Sequence, residues 1–404
     1  MGLKEVATQR NIATLSISTF FLIIVEYFVT PWWPLFFLDL GANEIIIGAV
    51  ATIQTASGML SQLPGGLLAD RFGRKKVLVF ATSIRIIGGF FLIFAKTWQQ
   101  FVPALVIQNI SIGLAMNALY AIVGESVPPE KRGTAFGIPS MAGMLPGLFM
   151  PIITGLQIDR LGLFSVLRIG FIIYLVVSVG GTIFRIIFIE ETLITEEEVQ
   201  PINGIKDVVN FFNLKRDVVI MLIVACISGF SFRLASPFLA IYAVEIIGFT
   251  KAQWGTLQSA MSFFNAILTL PGGLLADRFS RRLPILISKI ISPFNQLSLV
   301  LTSHFSHMLI VYVLIGISSG LGGGIMGGPA WNALLSDLVP SRARGKFRGL
   351  MNSISSLVSM PASIIGGYLW TTINPDALLY SAFLFGITSA FTFIFVKEPK
   401  VKEQ

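Results

Sequence analysis

Three ionisable residues stand deep inside apolar stretches of the chain: Glu26, Arg85 and Arg233. Glu26 is 16 residues from Arg10 and 13 from Asp39, and Arg233 is 17 from Arg216 and 12 from Glu245. At about 1.5 Å of rise per helical residue, both lie far from the ends of their segments. A charge at such a depth costs at least about 2.5–3.5 kcal/mol unless it is paired or hydrated. Glu26 can bind a proton or a cationic substrate, and Arg233 an anionic one. The alternatives are a static ion pair between the two, or Glu26 pairing with Arg85. Arg185 and Lys289 are nearer the ends of their segments and are expected to snorkel toward water.

Amides add to this set. Gln258, Ser262, Asn265 and Thr269 follow the spacing i, i+4, i+7, i+11, which is one helical face. Thr55, Gly58 and Gln62 form a shorter stripe, and Asn109, Gly113, Asn117 and Tyr120 a third. Such groups are costly in lipid, so they are expected to face inward, some toward a ligand and some as glue between helices. The candidate substrate or proton site is therefore Glu26, Arg85, Arg233, Asn109, Asn117, Gln258 and Asn265. Tyr27 and Trp331 are placed along a cavity, and Trp32 with Trp33 in an interfacial belt.

Catalytic chemistry finds no footing. There is no phosphate-binding G-x-x-x-x-G-K-[ST] loop and no G-x-S-x-G elbow. His304 and His307 are read as a solvated turn, and the single cysteine, Cys226, excludes an internal disulfide. No catalytic residue, metal ligand or cofactor is expected.

The elements that must position these residues are apolar and long. Of 404 residues, 54% are hydrophobic and 12% charged, with mean hydropathy +0.79. That is about half the usual share of charge, too little to cover a soluble protein of this size. Twelve apolar segments follow one another at 12–37, 45–68, 77–95, 101–124, 134–157, 165–189, 218–243, 253–275, 283–303, 308–335, 346–371 and 376–396. Each is near the roughly 20 residues that a bilayer span needs. A polar stretch at 190–217, with Glu196-Glu197-Glu198, separates the sixth from the seventh. Of 29 Lys and Arg, 21 lie in the termini, in this stretch and in the loops after even-numbered segments, against about four on the other side. The positive-inside rule then puts both termini in the cytoplasm. It also accounts for the net charge of +8 without any nucleic-acid partner.

The chain repeats itself. LPGGLLADRF occurs at Leu63–Phe72 and again at Leu270–Phe279, an offset of 207. Glu125-Ser-Val-Pro128 with Arg132-Gly133 is matched by Asp337-Leu-Val-Pro340 with Arg344-Gly345, an offset of 212. Six spans per copy bring the second copy in with the same orientation, so the halves are expected to be parallel repeats about an axis along the membrane normal. Glu26 and Arg233 are also 207 apart, so opposite charges hold equivalent positions. Helix breakers follow both: Pro31 and Pro34 after Glu26, and Pro237 after Arg233.

The segment Gly66-Leu-Leu-Ala-Asp70-Arg71-Phe-Gly73-Arg74-Lys75-Lys76 resembles the loop 2–3 signature of the major facilitator superfamily. Its second copy differs in carrying Ser280 where the first has Gly73. By that resemblance the loops form a cytoplasmic gate: Gly66, Asp70, Arg71, Arg74, Glu125 and Arg132 in one half, and Asp277, Arg278, Arg281, Asp337 and Arg344 in the other. Arg71 and Arg74 are expected to reach Glu125, Arg278 or Arg281 to reach Asp337, and Asp70 to accept from a neighbouring helix N-terminus. The Gly and Pro of segment 5, from Gly143 to Gly155, resemble the drug/proton antiporter branch. That branch has Gly where this chain has Met150, and Arg where it has Asn109, so Arg85 or the Glu26–Arg233 pair would have to stand in for that arginine.

The expected fold is an all-α polytopic membrane protein, with twelve transmembrane helices in two pseudo-two-fold related six-helix bundles (1–189 and 218–404) joined by the 190–217 linker. The expected function is secondary active transport of a small organic molecule by alternating access, as proton-coupled export of amphipathic compounds from a monomer in the plasma membrane. Uptake of a small organic anion is the second reading, and a non-transporting receptor or scaffold the third.

Overall fold

The computed structural model describes residues 3–128, 131–193, 216–278, 280–323, 328–339 and 344–397. The charged run Glu196–Glu198 and Lys206 and Lys215 of the central stretch lie outside them. Among the described residues helix follows helix and there is no strand. Ten stretches of the described residues are long and apolar enough to cross a bilayer. They are α1 (Arg10–Val29, continued after a turn by Trp33–Asp39), α2 (Glu44–Phe72), α3 (Arg74–Phe94), α4 (Trp98–Glu125), α5 (Arg132–Leu161), α6 (Leu163–Phe188), α7 (Arg216–Ala235), α9 (Arg282–Ile291, continued by Phe294–Leu301), α10 (Phe305–Gly322) and α12 (Pro375–Phe393). Two more helices bring the set to twelve. These are α8 (Lys251–Arg278), more polar through its Gln258 to Thr269 stripe, and α11 (Arg344–Ser359, continued by Ala362–Thr372), which opens on three cations.

The long apolar runs become helices because only a helix or a closed barrel satisfies every backbone N–H and C=O inside a bilayer. The breaks have local causes. Pro31, Pro293 and Pro361 interrupt α1, α9 and α11, since proline offers no N–H and collides with the carbonyl four residues back. Pro64 and Pro271 instead stay inside α2 and α8, 207 residues apart.

The chain falls into two compact units. One draws on residues 1–43, 53–199 and 250–256, the other on 44–52, 200–249 and 257–404. In the first, Ile12, Leu15, Leu78, Ala118 and Ile122 form a buried core near the loop-motif end. Phe36 meets Phe101 edge to face at 5.1 Å at the opposite end. In the second, Met221, Val224, Leu334 and Phe393 are the centre of the core. Outer faces leave large apolar side chains open, among them Phe80, Val176 and Phe391, as a lipid-facing surface requires.

The repeat extends to atomic contacts. A Cβ at Gly65 of α2 would stand 2.7 Å from Leu114 Cα of α4, and one at Gly272 of α8 would stand 2.6 Å from Leu321 Cα of α10. Both partners are again 207 apart. One position departs. Gly73 adopts φ +107°, whereas no residue other than glycine among those described has a positive φ, so Ser280 turns its loop another way. Ser280 Oγ instead accepts from the N–H of Leu283.

Candidate functional site

Glu26 is held inside the first unit by side chains from two other helices. Arg85 of α3 donates to Glu26 Oε1 at 2.5 Å, and Gln108 Nε2 of α4 donates to both carboxylate oxygens at 2.9 and 2.8 Å. Thr30 Oγ1, one turn further along the chain, reaches Oε2 at 3.4 Å. The Arg85 guanidinium lies 5.2 Å from the centroid of the Tyr174 ring of α6. Exposure of the Arg85 and Glu26 side chains is 10% and 17%, so this is a charge-assisted pair shielded from solvent. A proton added to Glu26 would remove its charge and weaken both contacts at once.

The other candidate residues are placed as follows. Arg233 is half-buried on α7 in the second unit, where its backbone carbonyl accepts from Ser363 Oγ at 2.9 Å. Asn109 donates to Leu105 O of its own helix. Asn117 donates to Gln62 O of α2 at 2.6 Å, as glue between helices. Asn265 accepts from Thr269 one turn on, and Gln258 is half-buried. Gln108 was absent from the sequence candidates. It precedes Asn109 and so leaves the α4 stripe, although any amide within a span calls for a polar partner.

At the loop-motif end, Arg74 pairs with Asp70 four residues earlier and reaches Glu125 Oε1 at 3.4 Å. Arg71 takes another course and lies 5.3 Å from the Phe72 ring centroid. Asp70 does not cap a helix. The free N–H groups of Arg74 and Lys75 at the start of α3 go to Glu191, at 2.8 and 3.2 Å. Partial burial pushes the Glu191 carboxyl up. The N–H donors of Leu193, Thr192, Arg74 and Lys75 outweigh this and hold it below the usual carboxylate range. Thr192 Oγ1 donates to Glu125 Oε2 at 2.5 Å, and Arg132 donates to Gly124 O. Gly66 faces Asn117, whose Nδ2 would lie 3.2 Å from an added Cβ. In the second unit Arg281 pairs with Asp337 and donates to Ala333 O. The side chains of Asp277, Arg278 and Arg344 lie outside the described residues.

Two expectations are corrected. Arg185 and Lys289 do not snorkel, being 5% and 3% exposed. Each finds hydroxyl partners within its bundle: Ser18 and Thr82 for Arg185, and Ser228 for Lys289, which also lies over the Trp331 ring. Trp32, in the turn between the two parts of α1, is fully buried rather than exposed as an interfacial belt would need.

The family model of the Major Facilitator Superfamily matches residues 15–363 and again residues 221–404. The chain belongs to the Major Facilitator Superfamily. It is thus a multi-pass membrane transporter of small molecules rather than an enzyme. Its relatives include an uncharacterized MFS-type transporter of Methanocaldococcus jannaschii, 22% identical over 96% of this chain and 95% of that one. Another is the multi-drug resistance efflux pump PmrA of Streptococcus pneumoniae, 27% identical over 77% of each chain. Among solved structures, that of the nucleoside transporter NupG superposes with a TM-score of 0.75 at 14% identity, covering 96% of this chain and 99% of that one. That likeness concerns the fold.

In this superfamily member the Asp70–Arg74–Glu125 cluster joins the ends of α2, α3 and α4. Asp70→Asn is expected to leave membrane insertion normal and to remove most transport, measured as uptake or efflux per molecule of membrane-inserted protein. Wild-type transport by this variant would remove the gating role of the cluster.

Proposed function

We propose that the protein is a secondary active transporter that exports amphipathic organic compounds in exchange for protons, by alternating access. It works in the plasma membrane as a monomer with both termini in the cytoplasm, an orientation that the asymmetry of Lys and Arg supports. The observation that carries this reading is the Glu26 carboxylate held in mid-span between Arg85 and Gln108. It is an ionisable acid where lipid tolerates one only for a purpose. Its partners on α3 and α4 respond to its charge, which is what coupling a proton to a helix movement requires. The S. pneumoniae relative named as a multi-drug efflux pump supports the direction and the substrate class.

The test uses purified protein in liposomes that hold a pH-sensitive dye and a preset ΔpH, with tetraphenylphosphonium and ethidium as amphipathic probes. Adding either probe is expected to dissipate the gradient with wild type and to leave it intact with Glu26→Gln. Equal dissipation by the variant would sink the assignment of Glu26. No response from wild type to either cation would sink export of amphipathic cations.

A further inference from the structure

A buried polar seam runs through the first unit where α1, α3 and α6 meet. On α6 the residues Tyr174, Ser178, Thr182 and Arg185 are all buried. Their spacing of i, i+4, i+8 and i+11 keeps them on one face. Arg85 lies over Tyr174 at one end. At the other end Arg185 donates to Ser18 Oγ at 3.1 Å and to Thr82 Oγ1 at 2.8 Å. Thr82 and Arg85 are three residues apart on α3, hence neighbours on one helical face. The two guanidiniums therefore lie along one side of the seam, and the charge of Arg85 acts on Arg185.

The charges of the seam do not balance. Glu26 is the sole carboxylate on the described helices Arg10–Val29, Arg74–Phe94 and Leu163–Phe188. It is already engaged by Arg85 and Gln108. Arg185 is 5% exposed, and its hydrogen-bond partners are two neutral hydroxyls. A guanidinium cannot shed its charge to relieve this, as a lysine can. Hydrogen bonding is unbalanced in the same sense. Arg85 Nε and Ser178 Oγ are buried without a hydrogen-bond partner, and Tyr174 Oη, set against the Arg85 guanidinium, still has its own proton to donate. Buried polar groups are nearly always satisfied, and exceptions point to a bound species. A surplus positive charge beside a surplus of donors calls for an acceptor that bears negative charge.

We propose that the seam between Arg85 and Arg185 binds one small monovalent anion of halide size, seated against Ser178 and Tyr174. The anion neutralises Arg185 and accepts from the orphan donors. This site shares the Arg85 guanidinium with the Glu26 carboxylate, but it stands whether or not protons drive transport.

Chloride is the probe. The full-length protein in detergent is unfolded thermally while sodium chloride replaces sodium gluconate at constant ionic strength. A ligand that binds only the folded state raises the midpoint in step with its occupancy. The wild-type midpoint is expected to rise with chloride and to saturate, and equilibrium binding of radioactive chloride to reach one per chain. Arg185→Gln is expected to abolish the dependence. Glu26→Gln, which frees the Arg85 charge, is expected to move half-saturation to at least tenfold lower chloride. Ser178→Ala removes one donor with little risk to folding and is expected to weaken binding several-fold. A wild-type midpoint indifferent to chloride overturns the proposal, as does an unchanged dependence in both Arg185→Gln and Ser178→Ala. These readouts involve no transport, so loss of the Glu26 coupling reading would leave them unaffected.

Discussion

Arg85→Met is expected to destabilise the first unit by about 3–5 kcal/mol, the usual result of removing one partner from a buried ion pair. The methionine nearly preserves the packing volume, so the loss is electrostatic. Glu26 would keep Gln108 at 2.9 and 2.8 Å, but neutral donors do not offset a carboxylate in mid-span. Adding Glu26→Gln to Arg85→Met is expected to recover most of the loss, because an amide beside Gln108 is merely polar. A double-mutant cycle on unfolding in detergent isolates the pair from other effects of either substitution. A coupling near zero would mean that the two groups are solvated separately and that Arg85 does not set the state of Glu26. Such a result would also weaken the proton-coupling reading, since the coupling runs through this contact.

How much of this could be read from the chain alone depends on what the signal was made of. Span number and repeat were legible because they rest on composition and on identical decapeptides, neither of which needs a third dimension. That Asp337 would meet either Arg278 or Arg281 was legible for a similar reason, since the loop motif fixes all three to helix ends, but only the structure picks Arg281. Pairing deep in the bundle was less so. Glu26 was visible as an intramembrane acid with two possible partners, but only the rotation of α3 and α4 about their axes brings Arg85 and Gln108 to it. Arg185 was misjudged because distance from a segment's end does not show which face a side chain is on. Its long side chain points into the bundle, where Ser18 and Thr82 from two other helices meet it. Glu191 was missed because it opens a polar stretch that reads as linker. Its role at the start of α3 depends on where the chain leaves α6.

Gly65→Val and Gly272→Val are expected to be the most damaging substitutions at the two helix crossings, and to damage them about equally. In each unit the atoms that a new side chain would meet belong to backbone. They are Leu114 Cα and O at 2.7 and 2.8 Å for Gly65, and Leu321 Cα and O at 2.6 and 2.8 Å for Gly272. Backbone in a packed helix cannot swing aside as a side chain can, so the helices must separate. The partner helix also presents glycine: a Cβ at Gly113 would collide with Gly58 O, and one at Gly320 would stand 2.7 Å from Asn265 O. Small residues on both sides are what allow helices in lipid to approach closely enough for dispersion to hold them. Overpacking of this kind costs about 1–3 kcal/mol in ordinary cores. It should reach or exceed the top of that range here, seen as a lowered unfolding midpoint and a loss of monodisperse protein. Gly66→Ala separates this account from a general intolerance of the motif. Its added methyl meets the end of the Asn117 side chain at 3.2 Å, which can shift, so it should remain folded. Gly133→Ala, with nothing within 4 Å, should match wild type. Equal damage at Gly65 and Gly66 would refute the crossing as the reason for the first glycine. Damage at Gly65 but not at Gly272 would show that the repeat in sequence is no longer a repeat in mechanics.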